Sequence, residues 1–159
     1  MIKDKIKKSR ELIKIVAAAK KRGKKVVFTN GCFDILHLGH VSYLEQASSL
    51  GDKLVVAVNS DASVHRLKGK NRPVITQRQR AILVAALERV DYVTVFGQDT
   101  PLRLIKALKP DVLVKASDWC KDDIVGKAFV QSYGGKVVSA RFVKGYSSSS
   151  IIDKIKKDK

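Results

Sequence analysis

Five short apolar runs, rich in β-branched and aromatic side chains, are spaced along the chain. They lie at residues 26–29, 54–58, 92–96, 112–114 and 137–138. None of them alternates regularly with polar residues, which is typical of strands that are covered on both faces of a parallel sheet. The pattern therefore predicts a parallel sheet of five strands.

Helical patterns alternate with these strands. Gly23 is a natural end for the first helix, and Thr76 with Gln79 forms a T-x-x-Q capping box at the start of another. The predicted helices cover residues 3–22, 40–50, 77–89, 101–108, 122–133 and 148–157. Repeated strand–helix alternation predicts an α/β fold, a doubly wound Rossmann-like parallel sheet with helices on both faces.

The length of 159 residues predicts one domain, made of a basic helix over 3–22 and a core over 26–157. A hydrophobic fraction of 45% excludes a disordered tail. No apolar run approaches the roughly 20 residues that span a bilayer, and no signal-peptide pattern opens the chain. Cys32 and Cys120 are too few for a disulfide framework. We therefore expect a cytoplasmic protein without a membrane partner.

The formal net charge of +17 raises the question of nucleic-acid binding. More than half of that excess, +9, lies in residues 1–25, which contain no aromatic side chain to stack on bases. A solvated helix face is the more common reason for such a run of charge. We therefore expect no specific nucleic-acid partner.

Candidate chemistry concentrates in the loop after the first strand, at residues 29–40. This loop carries neither the dinucleotide fingerprint nor a P-loop. It does carry His37 and His40, three residues apart at a helix start, with Gly39 leaving room for a phosphate. Two alternatives remain open, namely simple helix capping and zinc ligation together with Cys32, although zinc would lack a fourth ligand at a usual spacing.

The sequence here resembles a known family. Asn30-Gly31-Cys32-Phe33-Asp34, followed by His37-Leu38-Gly39-His40, is similar to the nucleotidyltransferase superfamily with the H-x-G-H signature. Further segments resemble the adenylyltransferases of ADP-heptose synthesis, over about residues 10–157. They are Lys68-Gly69 with Arg72-Pro73, Asp99-Thr100-Pro101, Lys109-Pro110-Asp111-Val112-Leu113-Val114-Lys115 and Gly145-Tyr146-Ser147-Ser148-Ser149.

This resemblance implies transfer of AMP from ATP to a sugar 1-phosphate, heptose 1-phosphate, for lipopolysaccharide synthesis. The products would be ADP-heptose and pyrophosphate, with Mg²⁺ bound to ATP and no metal ligands assigned among the protein side chains. The resemblance also implies a homo-oligomer, a dimer or larger. A CTP-dependent enzyme acting on glycerol 3-phosphate or a similar phosphorylated alcohol stays open, because residue spacing cannot choose adenine over cytosine.

The resemblance further implies roles for individual residues. The catalytic residues would be His37, His40 and Lys68. The nucleotide-binding residues would be Thr29, Asn30, Gly31, Cys32, Phe33, Gly39, Lys115, Asp118, Trp119, Tyr146, Ser147, Ser148 and Ser149. Substrate or phosphate binding would fall to Asp34, Arg72 and Arg80, with structural support favoured for Asp34. Alternatives remain: the cations at 66–80 can form a solvated face instead of a closing loop, the serines can cap a helix, and Trp119 can belong to the core.

Overall fold

The fold is described by a computed structural model for residues 1–116, 124–141, 143 and 145–157. These residues form a sheet of five parallel strands in the order β3-β2-β1-β4-β5. The strands are β1 (Val26–Gly31), β2 (Lys53–Asn59), β3 (Tyr92–Phe96), β4 (Val112–Ala116) and β5 (Lys136–Ala140). All five predicted strands are thereby confirmed, each extended by no more than a few residues.

Helices cover both faces of this sheet. They are α1 (Ile2–Lys5), α2 (Ser9–Lys21), α3 (Leu38–Ser48), α4 (Asp61–Lys68), α5 (Gln77–Ala86), α6 (Leu102–Leu108), α7 (Lys127–Ser132) and α8 (Ser148–Lys157). Helices α3 and α5 pack on one face, and α2, α6 and α7 pack on the other. The predicted doubly wound arrangement is confirmed. Among the described helices, none is both long and apolar enough to cross a membrane.

Two apolar clusters, one on each face of the sheet, form the core. Side chains that follow each other along a strand point to opposite faces. Val27 therefore packs beneath α3 with Leu44, whereas its neighbour Phe28 packs on the other face with Leu12 of α2 and Ile105 of α6. This two-sided burial explains why the strands read as continuous apolar runs instead of alternating ones.

The prediction of one helix over 3–22 is wrong, because the chain breaks between α1 and α2. Ile6 pairs with Val93 in an isolated parallel bridge, and the backbone N–H of Lys7 donates to Val93 O at 2.8 Å. The N-terminal segment thus covers the outer edge of β3, which would otherwise expose unpaired backbone groups.

Helix α4 was not predicted. It includes the beginning of the basic segment 66–80, for which a closing loop was one of the two expectations. Ser60 caps this helix by accepting a hydrogen bond from Ser63 N at 3.2 Å. Lys68 is the last residue of α4, so the loop begins only at Gly69. The Thr76–Gln79 capping box of α5 is present as predicted.

Candidate active site

The pairing of β1 with β4 stops before the carboxyl ends of the two strands, and we call the place between these ends the β1–β4 crevice. The register between these strands pairs only Val27 with Val112 and Phe28 with Leu113, although both strands continue further. The strand order reverses at this point, and ligands of open α/β sheets bind there. Residues Thr29–Gly31 of β1 and the end of β4 thus border the crevice.

Lys115 and Asn30 face each other across this crevice. The Lys115 ammonium donates to Asn30 Oδ1 and is 9% exposed. Burial lowers the pKa of Lys115 to about 8, because desolvation penalises the charged form. Both residues were predicted to bind nucleotide, and the structure brings them together at the crevice.

The two predicted catalytic histidines lie side by side at the start of α3. His37 is the N-cap residue, and its ring stacks on that of His40 with 3.9 Å between centroids. Gly39 makes this packing feasible, since a Cβ there would lie 3.0 Å from the His37 ring. The phenyl ring of Phe33, which has a positive φ of 48°, lies 5.2 Å from the His40 ring. The loop therefore fixes both imidazoles at the exposed backbone N–H groups of a helix N-terminus.

Both histidines are held neutral by their surroundings. Burial, and then the neighbouring His37 and Lys68, lower the pKa of His40 to about 4, against a smaller opposing effect of the Ile35 backbone. Burial also lowers the pKa of His37. The Nδ1 atoms of both rings are buried and have no hydrogen-bond partner among the residues that the structure describes. Buried polar atoms without partners are rare, and here they point to a ligand.

We expect His40 to titrate near pH 4 in an NMR experiment on the imidazole ring. Because the unfolded chain carries histidine with a pKa near 6.5, it binds more protons than the folded chain between about pH 4 and 6.5. The free energy of unfolding contributed by this residue should therefore fall as the pH is lowered through that window. A His40 that titrates near 6.5 would contradict the burial of its ring.

Asp34 joins the loop after β1 to the loop before α5. It is 1% exposed and accepts hydrogen bonds from Arg72 Nε at 2.6 Å, Val74 N at 2.8 Å and Ile75 N at 3.0 Å. Burial opposes its ionisation, but these three donors together lower the pKa of the carboxyl group. The favoured role of Asp34, structural support, agrees with this geometry, because its oxygens are occupied by protein donors.

Arg72 extends the same junction to the start of α8. Its Nη1 lies 3.4 Å from Ser149 Oγ, and its Nη2 is buried without a partner in the described part of the chain. Ser148 Oγ donates to Ile35 O at 3.0 Å, which ties α8 to the histidine loop. Three chain segments therefore meet around one guanidinium that retains an unused donor.

The remaining predicted residues near the start of α8 are accessible. Tyr146 is 43% exposed and lies next to Gly39, where an added Cβ would be 3.5 Å from the Tyr146 Cβ. Ser147 Oγ accepts a hydrogen bond from the backbone N–H of Ser150 at 3.0 Å, as the side chain of a capping serine does. Ser147 thus caps α8, which keeps the capping alternative open beside the nucleotide contact.

Two residues that were predicted to contact a ligand, Thr29 and Arg80, are fully buried and bonded to other parts of the protein. Thr29 is 0% exposed, with its hydroxyl bonded to Tyr43, so it belongs to the core beneath the crevice. Arg80 is also 0% exposed, and its guanidinium donates to the carbonyls of Ile75 and Cys32 and to the Asp61 carboxylate. The predictions that Thr29 contacts the nucleotide and that Arg80 contacts phosphate are therefore corrected to structural roles.

Other predicted residues surround the histidines. Lys68 is exposed, and its positive charge contributes to the lowered pKa of His40. The Cys32 thiol is half-buried, and burial raises its pKa. Gly31 leaves room for the Phe33 ring, which a Cβ would approach at 3.0 Å. Asp118 and Trp119 lie outside the described residues.

Within the described ranges, no three side chains of His, Cys, Asp or Glu cluster in a way that could hold a metal ion. Tyr43 is the residue at this site that the sequence did not single out. Its ring lies on the buried face of α3, three residues after His40, and its hydroxyl reaches both β1 and β4. A polar atom at that buried helical position is the signal that could have identified it.

Comparisons with known proteins show the family to which the chain belongs. A family model described as cytidylyltransferase-like matches residues 28–154. The bifunctional protein HldE of Geobacter metallireducens is 58% identical over 151 residues, and that of Hahella chejuensis is 54% identical over 140. These alignments cover 95% and 88% of this chain, but only 31% and 29% of the relatives. The chain therefore spans about a third of the length of these curated relatives.

Two solved structures have a fold similar to that of this chain. The lipopolysaccharide core biosynthesis protein of Thermoplasma volcanium is 33% identical, with a TM-score of 0.64, over 79% of this chain and 100% of that one. A pantoate-beta-alanine ligase of Francisella tularensis is 16% identical, with a TM-score of 0.61, over 95% of this chain and 76% of that one. The second similarity shows a shared fold alone.

Proposed function

The chain belongs to the cytidylyltransferase-like family, and from this membership we propose that it is an adenylyltransferase. It would transfer AMP from ATP to heptose 1-phosphate and release ADP-heptose and pyrophosphate. The observation that carries the proposal is a set of three buried nitrogen atoms without described partners: His37 Nδ1, His40 Nδ1 and Arg72 Nη2. They lie around the N-termini of α3 and α8, where a phosphate chain would supply the missing partners.

The proposed reaction needs no covalent intermediate on the protein. An oxygen of the sugar phosphate attacks the α-phosphorus of ATP, a new P–O bond forms, and the bond to the pyrophosphate leaving group breaks. The protein would contribute positioning and electrostatic stabilisation. His37 and His40, neutral at pH 7, would donate hydrogen bonds to the phosphate oxygens, and Lys68 would neutralise charge on the departing pyrophosphate.

Among the site residues that the structure describes, none forms a protein cage for Mg²⁺. Asp34, the carboxylate closest in sequence to the histidines, has its oxygens occupied by Arg72 and two backbone N–H groups. We therefore propose that Mg²⁺ enters with ATP, held by phosphate oxygens and water, where it neutralises the triphosphate.

Heptose 1-phosphate is the proposed acceptor for two reasons. The segments Lys68-Gly69 and Lys109–Lys115 resemble the adenylyltransferases of ADP-heptose synthesis. The similar Thermoplasma volcanium structure is that of a lipopolysaccharide core biosynthesis protein. As part of the same proposal, residues 1–159 act as a single nucleotidyltransferase domain in the cytoplasm, within a homo-oligomer.

A pyrophosphate-release assay tests this function. We expect turnover with ATP and heptose 1-phosphate, and turnover at least about 100-fold lower with CTP and glycerol 3-phosphate, since a site built to hydrogen-bond one base rejects another strongly. Turnover in the second mixture alone would replace the proposal with the cytidylyltransferase alternative. ATP binding without pyrophosphate release with either acceptor would contradict transfer.

A further inference from the structure

The crevice between β1 and β4 exists because two adjacent parallel strands separate before they end. Hydrogen-bonded register stops at Phe28 and Leu113, whereas β1 continues to Gly31 and β4 continues to Ala116. On its other side, β1 stays paired with β2 along its whole length, up to Gly31 opposite Val58. The separation is therefore confined to the β1–β4 side, where the proposed nucleotide site lies.

The phenol group of Tyr43, on helix α3, forms hydrogen bonds to both of these strands. Tyr43 Oη donates to Val114 O of β4 at 3.1 Å and lies 2.5 Å from Thr29 Oγ1 of β1. Because a phenol has one proton, the Thr29 hydroxyl donates in the shorter bond. Tyr43 is 6% exposed and Thr29 is 0% exposed, so neither group can exchange these contacts for bulk water. The bridge therefore links two strands that share no backbone ladder at this level.

Tyr43 also lies one helical turn after His40. Residues three apart on a helix occupy the same face, so the hydroxyl contacts of Tyr43 fix the first turns of α3 above the crevice. Helix α3 carries both histidines at its N-terminus, where their rings stack on each other. The Tyr43 bridge is thus a direct polar link from the histidine helix to both borders of the crevice.

We propose that Tyr43 is a positioning residue for the transfer reaction: through its bonds to Thr29 and Val114 it sets the position of His40 relative to a nucleotide in the β1–β4 crevice. This inference rests on the proposed function, since it names a residue that serves the same reaction. Tyr43 would not touch the substrate. Its effect on rate comes from geometry, because small misplacements of a catalytic group cost large factors in rate.

The decisive variant is Tyr43→Phe, with Tyr133→Phe as its matched control. Tyr133 also donates its hydroxyl to a backbone carbonyl, Pro110 O at 2.8 Å, but at the opposite end of the sheet. Tyr133→Phe loses this one hydrogen bond, Tyr43→Phe loses its bonds to both Val114 and Thr29, and both variants keep the ring. We expect Tyr43→Phe to lower kcat about 10- to 30-fold with the KM for ATP changed less than about threefold, and Tyr133→Phe to leave kcat within about twofold. Tyr43→Phe should lower the melting temperature more than Tyr133→Phe, because Tyr43 is 6% exposed and Tyr133 is 37% exposed.

The variant Thr29→Val tests the same link from its other side. It removes the other hydroxyl of the short pair while keeping the side-chain shape. If Thr29 and Tyr43 act as a unit, the double variant should lose little more activity than either single variant. Thr29→Ser, which restores a hydroxyl, should recover most of kcat. Additive losses, or a Thr29→Val enzyme with wild-type kcat, would overturn the inference.

NMR of the His40 ring separates failure of this inference from failure of the proposed function. Tyr43→Phe should shift the ring resonances of His40, and Tyr133→Phe should not, whether or not the assay detects transfer. Unchanged His40 resonances in Tyr43→Phe would overturn the inference. A wild-type protein without transfer, but with a Tyr43-dependent His40 signal, would instead refute the function and keep the structural link.

Discussion

His40→Ala is expected to lower kcat for adenylyl transfer by about 10²- to 10³-fold while the chain remains folded. The imidazole is held at the start of α3, stacked on His37, with a buried Nδ1 that has no partner in the described structure. Removing one preorganised donor to a charged phosphoryl transition state costs about this much. The ring's backbone partner, Ile35, lies only five residues away in the same loop, so we expect little loss of stability.

Steady-state kinetics and thermal melting together measure this effect. His65→Ala is the matched control. His65 is an exposed histidine on α4, so this variant also removes an imidazole ring, but one that lies away from the crevice. We expect the control to keep wild-type kcat, and His40→Ala to keep a melting temperature within a few degrees of wild type. Full activity in His40→Ala, or loss of the folded state, would refute a catalytic role for this histidine.

The sequence was sufficient for the sheet because its inner strands are largely buried on both faces. Such a strand is apolar at most positions, and all five apolar runs became parallel strands, although the edge strand β5 is only partly buried. Helix α4 escaped prediction because it is short and mostly solvent-facing, with only Ser63 and Val64 buried. The break at Ile6 escaped because it depends on a contact with Val93, far along the chain.

The histidine turn was predictable for a different reason. His37, Gly39 and His40 carry their chemistry in residue type and spacing, and the structure adds that Gly39 also leaves space for the His37 ring. Tyr43 was not predictable in the same way, because its importance depends on Val114, 71 residues away. Spacing along the chain carries no information about such a contact.

The charge pattern was only partly informative. Several lysines of the basic segment have acidic partners: Lys20 pairs with Asp111 at 3.1 Å and Lys24 with Asp52 at 3.2 Å. The side chains of both pairs are partly exposed to water, so each pair contributes little to stability. They nevertheless show that some lysines of residues 1–25 pair with acidic side chains of this chain. The net charge of that segment could not reveal these partners.

Arg80 is the residue whose predicted and observed roles differ most, and Arg80→Met should reveal the difference. The guanidinium is 0% exposed and donates to Ile75 O at 2.9 Å, to Cys32 O and to Asp61 Oδ1 at 2.8 Å. Methionine keeps much of the buried stem but leaves these three acceptors without their donor. We expect the free energy of unfolding, measured by chemical denaturation, to fall by about 3 kcal/mol, as for other broken buried networks.

Arg78→Met is the matched control for this variant, because Arg78 is an exposed arginine on the same helix. Exposed substitutions of this kind usually change stability by about 0.5 kcal/mol or less. A phosphate-binding Arg80 would give the opposite pattern from the one expected here, because a ligand contact can be lost without destabilising the ligand-free chain. An Arg80→Met protein with wild-type unfolding free energy and weakened affinity for ATP or sugar phosphate would therefore restore the role that its position in the basic stretch suggested.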